Sequence, residues 1–169
     1  MSRQMIVRIS AAALALSAAA FVRLTQMEGY TERAVIPVPG DVPTFGFGST
    51  RREDGTPVKL GDKIDATSAV RLSLSEIQGA EVELKRCVTA ALTQGEYDSL
   101  VSLAYNVGAA SVCKSTMVKL HNASQHEAAC AEFDRWTFFQ GRDCKLVENK
   151  CSGLVKRRAA ERALCEGRA

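Results

Sequence analysis

Apolar positions recur at helical spacing through most of the chain, and one early stretch breaks that rhythm. Ala11 to Gln26 has the composition of a helix. Gly29 interrupts it, and a Pro/Gly-rich, β-branched stretch follows. Ala34-Val35-Ile36-Pro37-Val38 and Thr44-Phe45-Gly46-Phe47-Gly48 predict two short strands around a Pro39-Gly40-Asp41 turn. Arg51 to Lys63 is polar and irregular, with Asp54-Gly55 as a turn signal. A helix is predicted from near Asp65 or Thr67 toward Cys87, with Val70, Leu74, Ile77 and Leu84 on its apolar side and Gly79 weakening its middle.

Thr93-Gln94-Gly95-Glu96 has the form of a capping box. Tyr97, Leu100, Val101 and Ala104 follow at helical spacing, and Asn106-Val107-Gly108 ends that helix. Ser115 is placed to cap a short helix carrying Met117, Val118 and Leu120. Glu127 to Arg135 and Leu154 to Cys165 read as further helices. There is no internal repeat. A helix, a small β region and then several helices predict an α+β, mostly helical domain.

Composition narrows the class. A chain of 169 residues is the length of one domain, and 46% hydrophobic residues suffice for a core, which excludes a disordered or fibrous chain. Three of the 22 basic residues (Arg3, Arg8 and Arg23) and none of the 19 acids fall in residues 1–24, so the rest balances at 19 of each sign. A balanced domain lacks the basic face that phosphate binding needs, and no nucleic-acid partner is expected.

The N-terminus is an export signal in outline. Met1 to Arg8 is basic, and Ile9 to Val22 is an apolar run of Ala, Leu, Ser, Ile, Phe and Val. It is too short and too rich in Ala and Ser for an ordinary membrane span, and Ala18-Ala19-Ala20 offers a small-residue cleavage pattern. Residues 1–24 are therefore assigned to an export segment and 25–169 to the folded domain. The six cysteines (Cys87, Cys113, Cys130, Cys144, Cys151 and Cys165) agree, since an even number in an exported chain reads as three disulfides. Cys144 and Cys151 suit a local loop, and the other four leave three pairings open. No tight cysteine pair suggests zinc, and no metal or cofactor is expected. His121 and His126 read as surface helix positions, Trp136 with Phe138 and Phe139 as core, and Lys156, Arg157, Arg158 and Arg162 as a solvated basic face.

The candidate chemistry lies in residues 28–50. Glu28 closes the first helix, Asp41 sits in the predicted turn, and Thr44 opens the second strand. A carboxyl at a helix end beside a polar hairpin suits glycosidic cleavage, in which one acid protonates the leaving oxygen and another group holds water. Taken alone, the three residues also fit a surface acid, a turn former and a strand residue.

Several motifs in order add to this. Met27-Glu28-Gly29-Tyr30, Val42-Pro43-Thr44-Phe45-Gly46-Phe47-Gly48-Ser49-Thr50, Tyr105-Asn106-Val107-Gly108, Cys113 to Leu120, Phe133-Asp134-Arg135-Trp136 and Gly153 to Glu161 resemble the phage-type lysozymes (endolysins) of glycoside hydrolase family 24. The resemblance spans nearly all of Phe21 to Cys165. It implies a lysozyme-like fold, with a small β lobe and a helical lobe around a cleft. It also implies a muramidase that cuts the β-1,4 bond between N-acetylmuramic acid and N-acetylglucosamine in peptidoglycan glycan strands, for host lysis. By the same resemblance Glu28 is the general acid and Thr44 helps place the water. Tyr105 and Asn106 are candidates for lining the cleft, with a helix cap as the plain alternative for Asn106.

The aspartate departs from the family pattern, whose usual spacing falls on Pro37. Here twelve residues separate Glu28 from Asp41, and two separate Asp41 from Thr44. Asp41 either reaches the cleft from the turn or serves only the turn, and Glu32 is a substitute candidate. The resemblance further implies a signal-anchor-release enzyme, in which the uncleaved N-terminal segment tethers the chain to the inner membrane until it escapes and packs into the periplasmic enzyme as a helix. This segment has no cysteine, so no disulfide exchange is available to it. A monomer is expected. The rival readings are a lytic transglycosylase and a catalytically inactive peptidoglycan-binding protein.

Overall fold

In the computed structural model, which describes residues 6–168, helices carry most of the chain and three short antiparallel strand pairs supplement them. The α+β, mostly helical fold expected from the sequence is present. The chain divides into two units. One runs from Ala18 to Gly79, and the other joins the chain up to Ser17 with Ala80 onward.

The smaller unit begins with helix α1 (Ala18–Glu28), followed by strands β2 (Thr31–Val35) and β3 (Thr44–Gly46), which pair antiparallel. The predicted hairpin is there, but its first strand starts earlier than Ala34. Thr31 stands opposite Gly46 and Val35 opposite Thr44, with an irregularity between them. The polar stretch after it holds itself by backbone bridges, Arg33 with Lys63 and Arg51 with Pro57. A small core of Ala34, Phe45, Val58, Ile64, Ala69 and Leu72 packs beneath, with Phe47 against it. Helix α2 (Ala66–Cys87) starts where Asp65 accepts from the Ser68 amide (3.0 Å) and hydroxyl (2.7 Å), satisfying one orphan N–H of the first turn.

In the larger unit, helix α3 (Gln94–Val107) carries the capping box. The Glu96 amide donates to the Thr93 hydroxyl, and the Thr93 amide donates to Glu96 Oε2 at 2.8 Å. Tyr97, Leu100, Val101 and Leu103 are buried along α3. Helices α4 (Ala109–Cys113), α5 (Thr116–Asn122), α6 (His126–Ala131) and α7 (Ser152–Cys165) complete the bundle, with α7 packed on α3. Gly95 permits that packing, because a Cβ there would stand 2.5 Å from the Leu164 carbonyl oxygen. The helix predicted over Glu127 to Arg135 is divided, with a 3-10 turn from Glu132 to Arg135 after α6.

The N-terminal helix is also shorter than its composition predicts. Ile9–Ser10 form strand β1 and pair with β4 (Ala91–Leu92). Ala11–Ala13 make one 3-10 turn, Leu14 is extended, and α1 begins only at Ala18. Long-range partners replace the helical bonds in between. The Leu16 amide donates to Glu81 Oε1 (2.8 Å), the Ser17 amide and hydroxyl donate to Asp98, and the Gln94 side chain donates to the Ala15 carbonyl. Met1 to Met5, where the basic start of the export segment falls, lie outside the described residues. Among the described residues no helix is long and apolar enough to cross a membrane.

All six cysteines are paired: Cys87 with Cys113, Cys130 with Cys165, and Cys144 with Cys151. Three other expectations are corrected. Phe138 and Phe139 are exposed, on a short hairpin of β5 (Phe138–Phe139) and β6 (Arg142–Asp143), rather than in the core. Arg158 is not solvated but buried, because Glu161 one turn on accepts from it at 2.7 Å. His121 is fully buried.

Candidate active site

Glu28 is the last residue of α1, and Gly29, with φ +69, turns the chain directly into β2. The Glu28 carboxylate lies against the turn that follows β3. In that turn Phe45 and Ser49 exchange backbone hydrogen bonds (3.2 and 3.0 Å), which brings Gly48 to the carboxylate. A Cβ built on Gly48 would be 3.2 Å from Glu28 Oε2, and Gly48 has φ +86. The backbone conformation there favours glycine, and a side chain would also press on the end of the Glu28 side chain. The buried Ser49 fixes the turn further by donating to Glu76 Oε2 at 2.8 Å.

Tyr30 braces the same place. Its hydroxyl donates to the Ile64 carbonyl at 2.8 Å, and its ring lies 5.7 Å from that of Phe47. Desolvation first, and then the charges of Glu32 and Asp65, raise the Tyr30 hydroxyl above its ordinary pKa, so it stays a donor.

Thr44 opens β3 opposite Val35, two residues before the Gly46 that faces Thr31. It is half-buried. Asp41 lies beyond the Val35–Thr44 pair, in the connecting turn. Its amide donates to the Val38 carbonyl (3.0 Å), and its carboxylate accepts from the Val42 amide (2.9 Å). The hairpin thus holds Glu28 at its open end, Thr44 along its second strand and Asp41 at its turn. Glu32 is exposed on β2.

Tyr105 and Asn106 belong to the last turn of α3 in the larger unit. Asn106 is not the cap, since Gly108 takes that position and donates to the Ala104 carbonyl. The Asn106 side-chain oxygen accepts instead from Arg158, whose other nitrogen is held by Glu161, and Glu161 also accepts from the Ser102 hydroxyl (2.6 Å). The sequence signal for this network was an arginine and a glutamate three residues apart on α7.

Comparison with known proteins fits this arrangement. The phage lysozyme family model matches residues 25–161, from just before Glu28 through the Arg158–Glu161 pair. The chain belongs to the phage lysozyme family. It is a glycoside hydrolase of the lysozyme class, with peptidoglycan as its substrate. Among similar proteins, the endolysin of Salmonella phage P22 is 32% identical over 149 residues, covering 88% of this chain and 96% of its own. A protein named SAR-endolysin from Escherichia phage 933W is 32% identical over 172 residues, covering 97% and 96%. Among solved structures, an endolysin from Escherichia coli O157:H7 phage FAHEc1 superposes with a TM-score of 0.78 at 28% identity, covering 90% of this chain and 94% of that one. A P22 lysozyme mutant superposes at 0.72 with 30% identity, covering 89% and 97%.

Proposed function

We propose that this phage lysozyme hydrolyses the β-1,4 bond between N-acetylmuramic acid and N-acetylglucosamine. Glu28 protonates the glycosidic oxygen, and Thr44, with Asp41 as its partner from the turn, orients the attacking water on the other side. The observation that carries this reading is the Glu28 carboxylate beside Gly48, where even a Cβ would stand only 3.2 Å from Glu28 Oε2. Tyr105 and Asn106 bind the glycan, and the enzyme works as a monomer without cofactor.

We further propose that residues 1–24 export the chain, tether it to the inner membrane and then leave the bilayer uncleaved, so that the enzyme acts in the periplasm. A curated relative that shares nearly its whole length is named a SAR-endolysin. Support also comes from the described part of the segment, where Ala11 and Leu14 are buried and Arg8 pairs with Glu96 at 2.7 Å. Sequencing the N-terminus of periplasmic protein tests retention, and a start near Phe21 would replace it with cleavage.

Mass spectrometry of peptidoglycan fragments tests the reaction. Hydrated reducing muramic acid ends are expected. Anhydro ends would move the reading to a transglycosylase, and no fragments from folded, oxidised, membrane-free protein that still binds peptidoglycan would favour a binding protein.

A further inference from the structure

His121, at the end of α5, and His126, at the start of α6, point their Nδ1 atoms at each other across 3.2 Å. The positive φ of Ser124 turns the chain between them. Glu96 completes a triangle from α3, with its Oε1 3.5 Å from His126 Nδ1. One donor atom from each of the three residues lies within 4.8 Å of the other two. The Thr93 amide holds the other carboxylate oxygen, so Oε1 is the one turned toward the imidazoles.

The two closest separations, 3.2 and 3.5 Å, are near those of metal ligands. Two donors about 2.0–2.1 Å from a tetrahedral zinc ion stand about 3.3 Å apart. Two neutral imidazoles and one carboxylate suit a borderline divalent ion, not calcium or magnesium, which prefer oxygen. An open cavity of about 1070 Å³ reaches Glu96 and His126, with Glu127 and Glu166 also in its wall.

Arg8 stands in the way of the ion. Its guanidinium donates to both oxygens of Glu96 (2.7 to 3.2 Å), and Ile6 to Arg8 form part of the cavity wall. With Arg8 seated, Glu96 is already neutralised, and a divalent ion would add two uncompensated charges beside largely buried groups.

We propose that Glu96, His121 and His126 form a zinc-type divalent metal site, for which the ion and Arg8 of the N-terminal segment compete. Docking of the segment closes the site, and its withdrawal opens it.

The test uses untagged, full-length, disulfide-bonded protein stripped of metal, dialysed against ZnCl2 and, separately, titrated with Co2+ for its visible spectrum. One Zn2+ per chain is expected. Affinity should rise about tenfold or more in Arg8→Gln, and fall by at least about 10- to 100-fold in His126→Gln and in Glu96→Gln, since losing even a group behind a ligand costs that much. The Co2+ bands should vanish in His126→Gln. Circular dichroism confirms that each variant is folded, and Gln preserves the capping box at position 96. Binding that neither ligand substitution weakens would overturn the site, as would absence of stoichiometric Zn2+ from both wild type and Arg8→Gln. Equal affinity in wild type and Arg8→Gln would overturn the competition.

Discussion

Oε2 of Glu28 lies in tight reach of any side chain on Gly48: a Cβ built there stands 3.2 Å from it. The acid at the end of one helix thus lies beside a turn twenty residues away in sequence, and even the smallest substitution of that turn meets it. Gly48→Ala adds both a methyl group against the carboxylate and a side chain at φ +86. The backbone strain costs about 1–3 kcal/mol. The expected outcome is a lower thermal midpoint together with loss of peptidoglycan clearing. Ala substituted at Gly55, also at positive φ but with open space around it, should share the stability loss and keep the activity. Thermal unfolding and turbidity assays on both variants separate the two effects.

The β region carries an acid-sensitive support. Asp62 accepts from the Lys59 amide at 2.7 Å and from Arg52, and these, in that order and against some desolvation, hold its carboxyl below the usual range. Because the folded pKa is the lower one, the stability it contributes is present above the unfolded value, about 4, and is lost as pH falls through the folded value. Asp54, through the Thr56 hydroxyl and amide, and Asp65, through those of Ser68, act in the same direction. Urea unfolding at pH 7 and pH 3 should show Asp62→Asn less stable than wild type at neutral pH and closer to it in acid. A constant gap would contradict this.

The three disulfides should contribute unequally. Cys130–Cys165 spans 35 residues and Cys144–Cys151 only seven. The chain-entropy relation gives about 3.8 kcal/mol for the longer loop and about 2.4 for the shorter. Removing the Cys130–Cys165 pair by double alanine substitution should therefore lower the unfolding midpoint more than removing Cys144–Cys151.

What could be read in the sequence follows the range of the forces involved. The Thr93–Glu96 capping box, the Ser115 cap and the short Cys144–Cys151 loop are closed by residues a few positions apart, and each is present. The hairpin between Glu28 and Gly48 was legible for the same reason. The break of the Ala-rich helix at Leu14 to Ser17 was not, since the acids that capture those amides, Glu81 and Asp98, come from helices more than sixty residues on. His121 and His126 looked like surface residues because their carboxylate partner, Glu96, belongs to another helix. Asp41 sits in the turn as expected, but its bond to the Val42 amide is set by local geometry that spacing alone does not reveal.

The role of Glu28 is the central claim, and the most direct measurement is the rate of solubilisation of purified peptidoglycan by Glu28→Gln against wild type, with circular dichroism and thermal midpoint recorded for both. Glutamine keeps the size of the side chain and removes the transferable proton. An unchanged fold is expected, with a rate lower by about 10²- to 10⁴-fold, the usual contribution of a positioned general acid. A folded Glu28→Gln enzyme that clears peptidoglycan at the wild-type rate would contradict that role.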